Sequence, residues 1–347
     1  MYCSGAVYIY SRSGSTWSQQ AVLSPGNGLD DNRFGYAVSI DGDTAIVGAY
    51  HQSETGTNSG VVYVFVRSGS TWSLQTKLLG DDTFSGDFFG KSVAISGDTV
   101  IVGAPGQDYL GSASGSAYIF VRSSDVWIQQ AKLTPDDGVS MDYFGRAVAI
   151  SGDHVIVGTY NQYITSYKAY IFERSGSFWS QQATLTPDIG PVEELFGYSV
   201  SISGDTALVG SPMNDTKGTN AGAAYIFAHS GNTWMRHTKI TADDANAGDR
   251  FGRAVSLSGN HAMVGAFKDD DHGTNSGSAY IFIRSAGIWR QQSKLTADDA
   301  SADQHFGISV SISFPYFIAG AYNKDMAYSG SAYFYEVPPL AASMVSE

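Results

Sequence analysis

The sequence predicts an all-β fold of small antiparallel sheets that stack on one another. Three observations predict it. A Phe-Gly pair recurs at Phe34, Phe89, Phe144, Phe196, Phe251 and Phe306, at spacings of 55, 55, 52, 55 and 55 residues, and a period this long marks a modular array. Inside each period, short β-branched and aromatic runs alternate with Gly, Asp and Ser turns. No window repeats apolar residues at helical spacing over a helix-sized length, so almost no helix is expected.

The unit that starts at Phe89 shows how each element is read. Phe89 to Ile95 alternates large and small side chains and predicts a first strand. Ser96-Gly97-Asp98-Thr99 predicts a tight hairpin, because Gly and Asp tolerate positive φ. Val100-Ile101-Val102-Gly103-Ala104 reads as a buried second strand. A polar loop from Pro105 to Ser114 leads to a third strand, Gly115 to Val121, and Ser123-Ser124-Asp125 turns the chain into a fourth, Val126 to Leu133. A sheet of this size cannot bury both faces alone, and stacking against neighbours solves that.

The repeating aromatics fit the same scheme. Tyr63, Tyr118, Tyr170, Tyr225 and Tyr280 each stand 9 residues before Trp72, Trp127, Trp179, Trp234 and Trp289, and each Trp stands 17 residues before the next Phe-Gly. These residues are expected to form the packing between sheets.

From each Phe to the second-strand glycine the count is 14 in all six units. All length variation falls in the following loop, which runs 15 residues from Gly to Tyr in four units, 12 in the third and 13 in the sixth. A constant scaffold with one drifting loop set suggests a binding face, although relaxed constraint on a solvated loop predicts the same pattern. The candidate ligand-binding residues are His51, Glu54, Gln107, Asp108, Tyr109, Tyr163, Asn214, Asp215, Lys268, Asp269, Asp270, Asp271, His272 and Asp325.

Acidic residues also cluster ahead of Phe-Gly: Asp81-Asp82 with Asp87, Asp136-Asp137 with Asp142, Asp243-Asp244 with Asp249, and Asp298-Asp299 with Asp303. Carboxylates so spaced suit a hard cation, but they also suit turn capping, which is the reading preferred for these loops. Asp269, Asp270 and Asp271 form the densest acidic loop and are the candidate ligands for calcium; no other cofactor is expected. Two residues after each Phe stand Tyr36, Lys91, Arg146, Tyr198, Arg253 and Ile308. The three cations among them suit either a channel mouth that attracts an anion or ion pairs with the acidic loops, and ion pairing is the preferred reading.

Net charge is −13, which argues against nucleic acid as a partner. No run of 18 apolar residues occurs, so no membrane insertion is expected. The single cysteine, Cys3, excludes an internal disulfide. The seven histidines show no metal-like pairing, and no convergent acid/base pair is legible, so the chain is not expected to be an enzyme.

Phe196-Gly197-Tyr198-Ser199-Val200, Asp205 to Pro212 and Gly222 to Phe227 resemble the FG-GAP repeat. Phe89-Gly90 with Gly103-Ala104-Pro105 carries the name-bearing residues in full, and the resemblance spans roughly residues 30–336. It is similar to the propeller head of integrin α subunits. The resemblance implies a β-propeller that recognises ligands through loops on one face, in adhesion more than catalysis. Integrin-type units often hold calcium between the first two strands; here that connection is the two-residue turn of Ser203-Gly204-Asp205-Thr206 and its equivalents, too short to supply six to eight oxygens. No calcium site is carried over to those turns.

The expected architecture is a single β-propeller over 1–336, with a partial unit at 1–33, six units starting at 34, 89, 144, 196, 251 and 306, and a tail or linker at 337–347. Gly5 to Tyr10 reads as an extra third strand and the segment around Trp17 as its fourth strand. Residues 16–23 are offered as the strand that completes the unit at Phe306, closing six blades; the alternative is part of a seven-bladed parent. The expected function is a non-catalytic recognition or adhesion module for a protein or carbohydrate ligand, outside the cell or on its surface. The alternatives are a polysaccharide hydrolase or lyase, and a structural spacer in a larger surface protein.

Overall fold

The computed structural model describes residues 5–26, 32–160, 167–187, 195–324 and 329–336. All regular structure there is β: 25 strands and no helix. The fold class is the β-propeller, with six blades that begin at Phe-Gly. Five blades are four-stranded antiparallel sheets, and the blade at Phe306 contributes Ser309–Ser313, Tyr316–Lys324 and Ser329–Glu336. Thr16–Leu23 pairs with Val7–Ser13 as a two-stranded sheet, in the way every fourth strand pairs with its third. Two compact units divide the chain, Met1–Thr186 and Pro187–Glu347.

Strand order within a blade follows chain order, as the turns demand. In the blade at Phe89, Ser96 pairs with Thr99 across a two-residue hairpin whose Gly97 has φ 56°. The second strand, Thr99–Ala104, is buried along its whole length. The core lies between blades: Ile46, Val62, Val64 and Leu78 of one blade meet Phe89, Val93, Ile95, Tyr118 and Phe120 of the next. Phe89 and Tyr118 are fully buried and meet edge-on at 5.5 Å, an arrangement repeated by Phe144 with Tyr170 and Phe251 with Tyr280.

The constant 14-residue interval has a packing cause. A Cβ on the second-strand Gly103 would lie 2.0 Å from the carbonyl oxygen of Gly145, the glycine of the next Phe-Gly. Gly48 stands likewise 2.1 Å from the oxygen of Gly90, and Gly265 1.9 Å from that of Gly307. At these junctions a blade lays its Phe-Gly peptide directly on the preceding blade's second strand, where no side chain fits.

The tryptophans differ from the expectation of a buried core. Only Trp289 is buried; the others are half-buried on the fourth strands. Their packing is polar as well as apolar. In Trp-x-Gln-Gln the second Gln is the extra residue of a β-bulge, seen where the register shifts between Gln129 and Ala131. The bulge re-aims that side chain: Gln20, Gln75 and Gln130 accept the indole N–H of Trp72, Trp127 and Trp179 in the following blade, at 2.8, 3.0 and 2.9 Å. The first Gln holds the loop behind it, Gln129 Oε1 accepting from the Asp81 amide and Gln181 Oε1 from that of Asp136. An arginine covers Trp72, Trp127, Trp179 and Trp289, as Arg122 does over Trp127 at 5.2 Å while pairing with Asp98, and His229 stacks on Trp234 in its place.

Candidate functional site

The predicted binding loops separate by position into framework and surface. Gln107, Asn214 and Asp269 occupy one equivalent place, four residues after the second-strand glycine, and all three are buried. Gln107 and Asp269 accept from Ser116 and Ser278, both at 3.0 Å, and Asn214 donates to the hydroxyl of Tyr225. These three are corrected from ligand candidates to scaffold, because their polar atoms are committed inside the blade. The next residue, Asp108, Asp215 or Asp270, accepts from the amide five positions on and closes its loop. The regularity of these bonds shows that the 15-residue loops share one conformation despite their different sequences.

The position after that meets a lysine of the fourth strand. Glu54 pairs with Lys77, Tyr109 lies under Lys132 at 4.5 Å, Thr216 accepts from Lys239 at 3.0 Å, and Asp271 accepts from Lys294 at 2.5 Å. Where the third blade has Thr184, Lys168 supplies the cation and reaches Asp137. His272 and Lys268 stand beside these networks, exposed and half-exposed respectively. Tyr163 and Asp325 lie outside the described residues.

The candidate metal ligands are rearranged by the fold. Asp270 turns away to cap its loop, and Asp244 from the preceding acidic loop takes its place beside Asp269 and Asp271, with one oxygen from each within 4.8 Å of the others. Lys294 Nζ reaches all three, at 2.7 Å from Asp244, 2.9 Å from Asp269 and 2.5 Å from Asp271. Burial alone would lower the Lys294 pKa, but its hydrogen bonds to the three carboxylates outweigh burial and raise it. The lysine ammonium thus supplies the charge that a cation would bring to this cluster.

The acidic residues ahead of Phe-Gly are caps, as the preferred reading has it. Asp87, Asp142 and Asp249 each accept from the amide three residues earlier, at 2.8, 2.8 and 2.7 Å. Gln304, not Asp303, holds this place before Phe306. The paired aspartates also tie blades together, since Asp82 and Asp137 accept the hydroxyls of Tyr118 and Tyr170 in the next blade.

Burial puts a charge penalty on two of these caps, Asp87 and Asp249. Burial, reinforced by the charges of Asp269 and Asp270, pushes Asp249 up to about 6 from 3.8. A carboxyl whose pKa rises on folding contributes stability that is full below 3.8 and is lost as pH rises through about 6. Asp249→Asn keeps the acceptor and removes the charge. Its melting temperature is expected to exceed that of the parent at pH 7.5, with the gap closing below pH 3.8; a gap constant across pH would refute this assignment.

The cations after Phe-Gly stack on aromatic rings, a contact the sequence reading did not expect. Lys91 Nζ lies 3.6 Å from the ring centre of Tyr50 and 4.1 Å from that of Tyr36. Arg146 stands over Tyr160 at 5.9 Å, and Arg253 over Tyr198 at 4.4 Å. Burial, helped by Arg146 and Arg33, pulls Lys91 down to about 8. In the first compact unit, Lys91 and Arg146 line a cleft of about 370 Å³ walled by Tyr50, Phe88, Tyr143 and Tyr160. His51 also lines it and is the predicted loop residue that the fold delivers there.

Two of these walls rest on unusual backbone. The residue before each Phe-Gly, Phe88 (φ 56°) and Tyr143 (φ 49°) among them, is left-handed in all six blades. For bulky side chains this costs roughly 1–3 kcal/mol each. The bonds around it hold it: the Phe88 amide donates to Asn58 O at 3.2 Å and the Gly90 amide to Gly103 O at 3.0 Å.

The FG-GAP repeat model matches residues 17–65, 72–120, 127–172, 179–227, 234–282 and 289–335. The chain belongs to the FG-GAP repeat family. No curated protein matches this FG-GAP chain in sequence. Among solved structures it is similar to a protein from Lactobacillus plantarum, with 12% identity, a TM-score of 0.55, and coverage of 91% of this chain and 92% of that one. It also aligns with Saccharomyces cerevisiae Sqt1 at 9% identity and a TM-score of 0.42, over 88% of this chain and 85% of that one. The first of these likenesses concerns the fold. The cleft itself is built at the FG-GAP signature: Lys91 and Arg146 follow the Phe-Gly pair, and Phe88 and Tyr143 precede it. The aromatic character of the preceding position is the signal in the sequence that points to these walls, and the loop-based reading passes over it.

Proposed function

We propose that this FG-GAP propeller is a non-catalytic recognition module that binds a protein or carbohydrate ligand, outside the cell or at its surface. The cleft carries the reading. It joins buried and half-buried aromatic surface to two half-buried cations, and convergent polar groups on an apolar concave surface are the usual makings of a binding site. The acidic loops ahead of Phe-Gly are spent on caps and lysine pairs, which favours the cleft over them. Among the described residues no helix is long and apolar enough to cross a membrane.

The test is retention on glycan and peptide arrays, with Tyr160→Ala compared against the parent. The expected result is a specific set of retained spots that the substitution dims by roughly tenfold, as loss of one stacking platform implies. Arrays that retain nothing, or spots indifferent to Tyr160→Ala, would sink the reading.

A further inference from the structure

Resting on that recognition reading, we propose that the cleft of Tyr50, Phe88, Lys91, Tyr143, Arg146 and Tyr160 binds a uronic-acid residue of an acidic polysaccharide. Two cations enter the lining and no carboxylate does. Lys91 and Arg146 are close enough to repel, Arg146 helping to depress Lys91, and an anion set against both relieves that repulsion. The cleft is thus a positive site on a chain of net charge −13, so the anion is selected locally and not by the field of the whole molecule.

The walls decide what carries the anion. Tyr50 and Phe88 meet on one side at 6.0 Å between ring centres, and Tyr143 and Tyr160 on the other at 6.4 Å. Such walls suit a rigid ring with apolar C–H faces and polar edges, which a pyranose presents, while its carboxylate reaches the cations. An extended acidic peptide is the poorer fit, because the backbone framing the cleft is already bonded. The Lys91 amide donates to Phe88 O, the Arg146 amide to Tyr143 O and the Tyr160 amide to Asp142 O. These three amides are thus taken and cannot pair with a peptide strand.

The experiment is calorimetric titration of the whole protein with trigalacturonate, maltotriose and hexaglutamate. Trigalacturonate is expected to bind, with maltotriose at least about tenfold weaker for want of the charge. Lys91→Met and Arg146→Gln should each weaken trigalacturonate by roughly 10- to 100-fold without moving the melting temperature; if one variant unfolds, the other carries the reading. Lys217→Met, an exposed lysine of another loop, should change nothing. Failure of trigalacturonate to bind, equal binding of maltotriose, or indifference to both cleft substitutions overturns the proposal. Hexaglutamate binding in its place, lost in the same variants, overturns the sugar assignment and leaves the recognition reading standing. Arrays on which no probe is retained overturn the recognition reading itself.

Discussion

Tyr118→Ala is expected to lower stability by roughly 3–5 kcal/mol, the cost of emptying a large aromatic site in a close-packed core. Tyr118 is fully buried, its ring meets Phe89 of its own blade edge-on within the core shared with Val62, Val64 and Leu78 of the preceding blade, and its hydroxyl donates to Asp82 at 2.7 Å. Truncation opens a cavity and removes one of the hydrogen bonds that hold the carboxylate. Tyr118→Phe keeps the ring and loses only that bond, so it should cost about 1–2 kcal/mol. Trp127→Ala should fall well short of Tyr118→Ala, because the indole is half-buried and one face is covered by Arg122. Chemical denaturation of the three variants checks the order. A Trp127→Ala loss equal to that of Tyr118→Ala would show that the tryptophans, and not the tyrosines, hold the blades together.

Lys294→Met is expected to cost on the order of 3 kcal/mol, since removing one partner leaves the others charged and uncompensated. The figure is at the low end for buried pairs because only Asp269, at 3% side-chain exposure, is deeply placed; Asp244 and Asp271 are 43% and 50% exposed. Removing the ammonium also empties the place between three carboxylates, which together offer up to six oxygens for a hard cation. Calcium should therefore raise the melting temperature of Lys294→Met by mass action, while chelator leaves the parent unmoved. A parent that melts lower in chelator, or a variant indifferent to calcium, would refute the view that the lysine stands in for a cation.

What the sequence alone determined is the local and the periodic. Phe-Gly spacing, the Ser-Gly-Asp-Thr hairpins and the β-branched second strands specify four-stranded blades, because strand period and turn chemistry are short-range properties. The even 14-residue interval already contained the close approach of Gly103 to Gly145, although only packing explains it. The preference for capping by Asp87, Asp142 and Asp249 was legible for the same reason, since a cap bonds three residues away.

What only the tertiary structure decided depends on neighbours beyond the reach of a turn, from 9 residues away at Gln107 to 52 at Gln75. Gln107, Asn214 and Asp269 have the sequence character of variable loop residues, yet the blade closes over them. Asp269 and Asp271 stand with Asp270 in the sequence; the partner the fold supplies is Asp244, which arrives from the preceding acidic loop. The bulge that turns Gln75 toward Trp127 changes a fourth-strand side chain into a bond between blades. The cleft is the clearest case. Tyr50, Lys91 and Tyr160 come from three successive Phe-Gly units, and no single repeat contains more than part of the site. A repeat specifies its own strands through its own pattern, but a surface shared by repeats exists only once stacking has chosen which side chains face each other.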